Sequence, residues 1–295
     1  MSSNGPRAAL FADGRLHLQH GPIDLIIQAW GERAEVESAY RQASARFGDI
    51  LEVLVQELAQ LRAPLGGAYP LLQGPVARRM LAACWPHRAA YITPMAAVAG
   101  SVADEILQAM LRDRDLQKTY VNNGGDIALQ LARGQSLTLG VVNNAGNPAI
   151  DATVTLEAAL PVRGLATSGW RGRSQSLGIA DAVSAFAADA ASADAAATMI
   201  ANAVDAEHPA ITRMPARALR EDSDLGDLPV TVGVGALPAC VRAAALARGR
   251  ACARELQRQG LIHAAYLALQ GEVCAVLPAT SFLEPGARRA AGELR

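Results

Sequence analysis

Lysine is almost missing from this chain. Lys118 is the only one, and arginine carries the rest of the positive charge. Beside so much alanine, this reads as a coding bias of a GC-rich genome and not as a functional signal. An excess of either charge is missing too. Lys and Arg number 27 against 28 Asp and Glu, for a formal net charge of -1. Such a chain has no general attraction to nucleic acid or to an anionic membrane. The four cysteines, Cys84, Cys240, Cys252 and Cys274, form no C-x-x-C pair and have no histidine at zinc-finger spacing. They lie in apolar contexts, where a free cysteine acts as a small hydrophobe, so a reducing compartment without structural zinc is expected. No apolar run reaches about 18 residues, which excludes a hydrophobic membrane-spanning helix. The opening MSSNGPRAALFADG lacks the basic start and apolar run of a signal peptide. A cytoplasmic protein is expected.

What is present is enough apolar sequence for a full core: 295 residues, 51% of them hydrophobic. Strands are expected on both sides of Asp13-Gly14 and from Pro22 to Trp30. Apolar residues at three- and four-residue steps predict one helix from Glu32 to about Arg62. A short helix follows from Pro75 to Trp85, and a small-residue segment, Ala96 to Gly100, leads into another. Then come strands with hairpin-length links: to Val121, Ile127 to Leu131, Ser136 to Val142, Ala152 to Ala159 and Val162 to Ala166, with a turn at Asn143-Asn144 and Gly146. Such a series predicts an α+β fold with antiparallel or mixed sheets and packed helices. One domain over 1–295 is expected, or two subdomains around one cleft. Residues 206–228 read as a surface loop and 284–295 as a frayed tail.

Residues 165 to 204 are the most informative. They hold a small polar turn, Thr167-Ser168-Gly169, an Arg- and Ser-bearing loop, a strand from Asp181 to Ala188, and a helix of small residues. On that helix Asp194 and Thr198 are four apart and share a face. A carboxylate and a hydroxyl so placed suit a hard cation such as Mg2+. The same pair also suits a plain helix: Asp194 supporting the N-terminus and Thr198 bonding back to the previous turn. The turn Asn122 to Asp126 is a hairpin by composition, and its backbone N–H groups can also cradle an anion.

Four blocks in order, TPMAAVAGSVADEIL, Asn123-Gly-Gly-Asp-Ile, Ala166-Thr-Ser-Gly and Ala193-Asp-Ala-Ala-Ala-Thr, resemble the ApbE-like flavin-binding superfamily. Its founding members are magnesium-dependent FAD:protein FMN transferases. The chain looks more like the shorter, uncharacterised branch, with the likeness running over about residues 90 to 205. The resemblance implies a Mg2+ site at Asp194, Thr198 and the carbonyl near Ala96. It implies that Asn123, Gly124, Gly125 and Asp126, with Thr167, Ser168 and Gly169, line a cleft for FAD or FMN. Asp104 matches an acidic residue near that cleft.

Two departures stand out. Ala99 occupies the position where the transferases carry lysine. The interval from Arg171 to Asp189 lacks their His-x-x-Asp-Pro-x-Thr-Gly segment, which leaves only Asp181 or Asp189 to replace its imidazole. The implied function is flavin-nucleotide binding with Mg2+, and FMN transfer or FAD pyrophosphate hydrolysis if the protein is an enzyme. One alternative is a non-catalytic accessory protein of cofactor or one-carbon metabolism. Another is an enzyme that holds an acidic small molecule through Arg171 and Arg173. The expected partner is a small-molecule nucleotide, neither nucleic acid nor membrane, and a homodimer is a possible assembly.

Overall fold

The computed structural model describes residues 5–141, 152–172, 174–278 and 283–285. The turn expected at Asn143-Asn144 and Gly146, Val142, Arg173 and residues 286–295 of the tail lie outside them.

Three strands open the chain: β1 (Arg7–Leu10), β2 (Leu16–His20) and β3 (Ile23–Gly31). Helices α1 (Arg33–Phe47), α2 (Ile50–Gln56), α3 (Leu58–Leu61), α4 (Pro75–Cys84) and α5 (Val98–Leu111) follow. Next come β4 (Leu116–Asn123), β5 (Asp126–Leu131), β6 (Ser136–Val141), β7 (Ala152–Glu157), β8 (Gly164–Ser168) and β9 (Ala182–Ala187). The helix α6 (Ala190–Ala203) leads to β10 (Ile211–Pro215), α7 (Ala216–Leu219), β11 (Pro229–Val234) and α8 (Ala239–Arg258). The strands β12 (Ala264–Leu269), β13 (Glu272–Val276) and β14 (Leu283–Pro285) complete the set.

A nine-stranded sheet runs in the order β1-β2-β3-β4-β5-β8-β9-β12-β13, and its neighbours pair antiparallel. The α+β class with antiparallel sheets is therefore observed. Side-chain alternation places the layers. In β5, Ala128 faces the core beneath α1, α4 and α5, whereas Ile127, Leu129 and Leu131 face a second core with Val154 and Leu156 of β7. Helices thus cover one face of the sheet, and the small sheet β14-β7-β6 borders a core on the other. The interior strand β9, between β8 and β12, is buried at every position, as a strand covered on both faces must be.

Three expectations change. The single helix of 32–62 is divided into α1, α2 and α3. The break falls at Gly48-Asp49, where Asp49 leaves helical geometry at φ -119° and ψ 1°. Glycine is a weak helix former, and the break lets Phe47, Ile50 and Leu54 all point into the core. The stretch 206–228 is not one irregular loop: it contains β10, paired with β11, and the turn of α7. Glu284 and Pro285 are not frayed but pair with β7. Among the described residues, no helix is long and apolar enough to cross a membrane.

Candidate functional site

The helix α6 sits at the centre of the site because its side chains are so small. Ala190, Ala191, Ala193, Ala195, Ala196, Ala197, Ile200 and Ala201 are all buried, so the helix is enclosed on several sides. It packs against β8, β9, α5 and α8. Small residues allow those backbones to approach. At Gly100 of α5 an added Cβ would lie 2.2 Å from the carbonyl oxygen of Ala190, so only glycine permits this crossing.

At this crossing the two helices exchange carboxylates. Asp194 of α6 accepts at 3.0 Å from the N–H of Gly100, in the first turn of α5. Asp104 of α5 accepts from the first amides of α6, Ala190 at 3.1 Å and Ala191 at 2.9 Å. Asp189 caps α6 as well, accepting from Ser192 at 2.7 Å. Helix N-termini carry unsatisfied N–H groups and partial positive charge, so each acid supports the neighbouring helix. Asp194 is thus a cap of α5, not of its own helix.

These carboxylates are held where charge is costly. Burial, then the nearby Asp126 and Asp104, push the Asp194 carboxyl well above the usual carboxylate range, against the pull of the Gly100 and Ala99 amides. Burial raises Asp104 from 3.8 to about 6 in spite of its two amide donors. The unfolded chain therefore releases the Asp104 proton first. Stability linked to protonated Asp104 is complete below about pH 4 and is lost as pH rises through about 6. Urea unfolding midpoints are expected to fall between about pH 4.5 and about 7.5, on either side of this titration, and to fall less in an Asp104→Asn protein. Parallel profiles for the two would remove Asp104 as a source.

The β4–β5 hairpin forms the next wall. Asn123 pairs with Asp126, and the two-residue loop is Gly124-Gly125, at φ 67° and 114°. Positive φ at both positions suits a tight hairpin, which glycine adopts without strain. Asn122 Oδ1 accepts from the Gly125 N–H at 2.8 Å. Asn123 Nδ2 donates to the Ala99 carbonyl at 3.1 Å, fastening the turn to the small-residue segment. Asp126 Oδ1 accepts from the Thr167 N–H at 3.2 Å, and the Thr167 and Ser184 hydroxyls lie 2.8 Å apart. Thr167 and Ser168, read as a turn, are the last residues of β8.

Two adjoining cavities result, of about 220 and 380 Å³. Asn123, Gly124, Gly125, Asp126, Thr167, Ser168 and Gly169 line the larger. Ala96, Asp194 and Thr198 line the smaller, while Ala99, Asp126 and Ser174 line both. Asp104, with both oxygens on α6, lines neither.

Several residues singled out by the sequence stand away from the cavities. Asp181 accepts from Arg171 at 2.6 Å, from the Trp170 indole at 3.3 Å and from the Gln270 N–H at 2.5 Å. Asp181 and Asp189, which the sequence left open as a base, line neither cavity. Arg171 lines neither cavity; its Nε donates to Asp181 and its guanidinium stacks on Trp170 at 4.6 Å.

The smaller cavity has a roof that the sequence did not reveal. Arg220 and residues 222–225 line it and are tied to other parts of its lining. Thr93 donates to Asp224 Oδ2 at 2.5 Å, the Tyr91 hydroxyl to the Asp224 carbonyl at 2.7 Å, and Arg62 to Asp222 at 2.5 Å. On the other side the Ser223 hydroxyl donates to Gln175, whose amide donates to the Ala216 carbonyl at 2.9 Å. These partners lie 41 to 160 positions apart along the chain, and no local pattern marks them.

Comparison with known proteins adds the following. A family model described as AbpE bacteria matches residues 8–275. A UPF0280 protein of Methanothermobacter thermautotrophicus is 38% identical over 136 residues, 45% of this chain and 50% of that protein. Another, from Methanococcoides burtonii, is 38% identical over 119 residues, 40% and 48% of the two chains. The match thus spans about half the length of these curated relatives. Among solved structures, an ApbE protein of Thermotoga maritima aligns over 91% of this chain and 96% of its own, at TM-score 0.44 and 14% identity. The apo flavinyl transferase ApbE of Pseudomonas stutzeri aligns over 95% and 97%, at 0.43 and 12%.

Proposed function

The chain belongs to the family described as AbpE bacteria, an ApbE-like branch, and from that premise we propose that its cleft binds a flavin nucleotide, FAD or FMN, together with Mg2+. Membership supports a flavin-related function. One observation carries the finer reading: residues from the small-residue segment, the glycine hairpin, the end of β8 and helix α6 line two cavities that share Ala99, Asp126 and Ser174.

The donor set fits such a cation. Among the described residues, no three His, Cys, Asp or Glu side chains form a metal-holding group. A zinc-type cage is therefore not built, whereas Mg2+ needs few protein oxygens beside phosphate and water. Asp194, the Thr198 hydroxyl and the Ala96 carbonyl would hold it, with Asp126 close enough to raise the Asp194 carboxyl. A cation here relieves the repulsion between those two acids. When bound, Mg2+ supplies charge neutralisation for phosphate oxygens.

The chain's own groups do the rest. Gly124 and Gly125 leave the hairpin backbone open to close approach, with nothing within 4 Å of a Cβ built at Gly125. Asn123 fixes that turn against Ala99. The smaller cavity carries Asp126, Asp194, Asp222 and Asp224 against Arg62 and Arg220, so an anionic ligand is repelled until a cation enters. Neither cavity is lined by histidine or lysine. Activation of an acceptor hydroxyl, which protein flavinylation needs, has no imidazole to perform it. Binding is accordingly the leading reading. Chemistry at the FAD pyrophosphate is the second, favoured by the paired Asp126 and Asp194.

Fluorescence titration with FAD and FMN is expected to show saturable binding with Mg2+, weakened at least about tenfold by EDTA. No binding in either condition sinks the proposal. Release of AMP and FMN from FAD during incubation would select the second reading.

A further inference from the structure

Asp194, Thr198 and Asn202 stand at i, i+4 and i+8 on α6, and all three line the smaller cavity. The side chain of Asn202 has a fixed orientation. Its Oδ1 accepts from the Leu177 N–H at 3.0 Å and from the Ser176 hydroxyl at 3.3 Å. A backbone N–H can only donate, so the atom facing Leu177 must be the oxygen, and the Nδ2 amide is turned the other way. Among the described residues none accepts a hydrogen bond from that Nδ2. The result is a neutral, two-hydrogen donor in a cavity where carboxylates outnumber arginines and where Arg62 is held by Asp222. Asn202 is half-buried, with its oxygen satisfied within the protein and its nitrogen left able to donate to an acceptor that the protein does not provide.

We propose that Asn202 is a specificity-determining residue of the cleft, donating from Nδ2 to an acceptor oxygen of the bound nucleotide. Helical rise puts it about 6 Å beyond Thr198 along the axis. The oxygen it recognises is thus separate from those beside the cation, and is either a further phosphate oxygen or a carbonyl of the flavin ring. The inference rests on the flavin-nucleotide reading above and names a contact that selects the ligand there.

Two substitutions separate donation from scaffolding. Asn202→Asp keeps an oxygen for Leu177 and Ser176 but replaces the donor with an acceptor. Asn202→Ala removes both. Binding of FMN, ADP and riboflavin to the full chain in saturating Mg2+ is expected to weaken about tenfold or more in both variants for the ligands that carry the recognised oxygen. Loss for FMN and ADP alone assigns a phosphate oxygen, and loss for FMN and riboflavin alone assigns the ring. Thermal unfolding of Asn202→Asp should match the parent, which keeps the test valid if Asn202→Ala folds poorly. Repeating the titrations at about 0.05 and 0.5 M salt separates simple repulsion by the new carboxylate, which salt screens, from a lost hydrogen bond, which it does not. Parental affinity of Asn202→Asp for all three ligands, or a loss that salt abolishes, overturns the inference while leaving nucleotide binding intact. If the parent binds none of the three, the flavin-nucleotide reading fails and this contact fails with it.

Discussion

Asp194→Asn is expected to lose Mg2+-dependent flavin-nucleotide binding by about 100-fold, the scale of ~2–3 kcal/mol for a contact to a charged group. The same protein should be more stable than its parent near neutral pH. Both effects have one cause. The Asp194 carboxyl is raised by burial and by Asp126 and Asp104, so its charged form is disfavoured in the folded chain. Stability tied to its protonated form is present at acid pH and declines as pH rises through its elevated folded value. Asparagine removes the charge yet keeps an oxygen for the Gly100 N–H, so α5 retains its cap. A site that is strained without its ligand is a common cost of function.

The checks are isothermal titration with Mg2+ and FAD, and urea unfolding at neutral pH. Parental affinity in the Asp194→Asn protein would take Asp194 out of the metal site. Lower stability would show that its charge helps the fold more than it strains it. Because the carboxyl is raised, a cation competes with its proton, so Mg2+ affinity should rise with pH in the parent.

Gly100→Ala is expected to destabilise the protein by about 3 kcal/mol or more and to abolish the cation site together with the fold around it. On an exposed helix the same change would stabilise by up to about 1 kcal/mol, because alanine is the better helix former. The sign is reversed here by contact. The new Cβ would meet the Ala190 oxygen at 2.2 Å, the Ala190 carbonyl carbon at 2.5 Å and the Ala191 nitrogen at 2.9 Å. All three are backbone atoms and cannot turn aside, so α5 and α6 must separate. Separation stretches three bonds at once: Gly100 to Asp194, and Ala190 and Ala191 to Asp104. A melting temperature lowered by roughly 6–12 °C is the expected reading. A Gly100→Ala protein that melts with the parent would show that the helices part freely and that the close crossing does not hold the site.

Much of this site was legible in the sequence because it is written in local patterns. Glycines at Asn123-Gly124-Gly125-Asp126 specify the hairpin through backbone conformation alone. The four-residue spacing of Asp194 and Thr198 places both on one face of any helix that forms there, and both line the smaller cavity. The same spacing extends to Asn202, the one further residue that helical periodicity alone could have picked out.

The rest depended on contacts between distant parts of the chain. The alternative to a cation ligand had Asp194 support its own helix, but it caps α5, because only packing decides which N-terminus a carboxylate meets. Asp104 read as a residue near the cleft, and packing turned both of its oxygens to α6. Asp181 was open as a base until Arg171, Trp170 and Gln270 were found to occupy it. The roof over the smaller cavity joins Arg62, Tyr91 and Thr93 to Asp222 and Asp224 over more than a hundred positions.

By itself, then, the sequence determined the α+β class and most of the strands, the glycine turn, the small-residue helix and the face that Asp194 and Thr198 share, but not the division of α1, α2 and α3 or the strands β10 and β14. What it determined follows from backbone sterics and periodicity within a few residues. Only the tertiary structure decided which acids are paired, which are raised by one another's charge, and what encloses the cavity. Burial and Coulomb interaction depend on distance in space, and distance along the chain does not fix it.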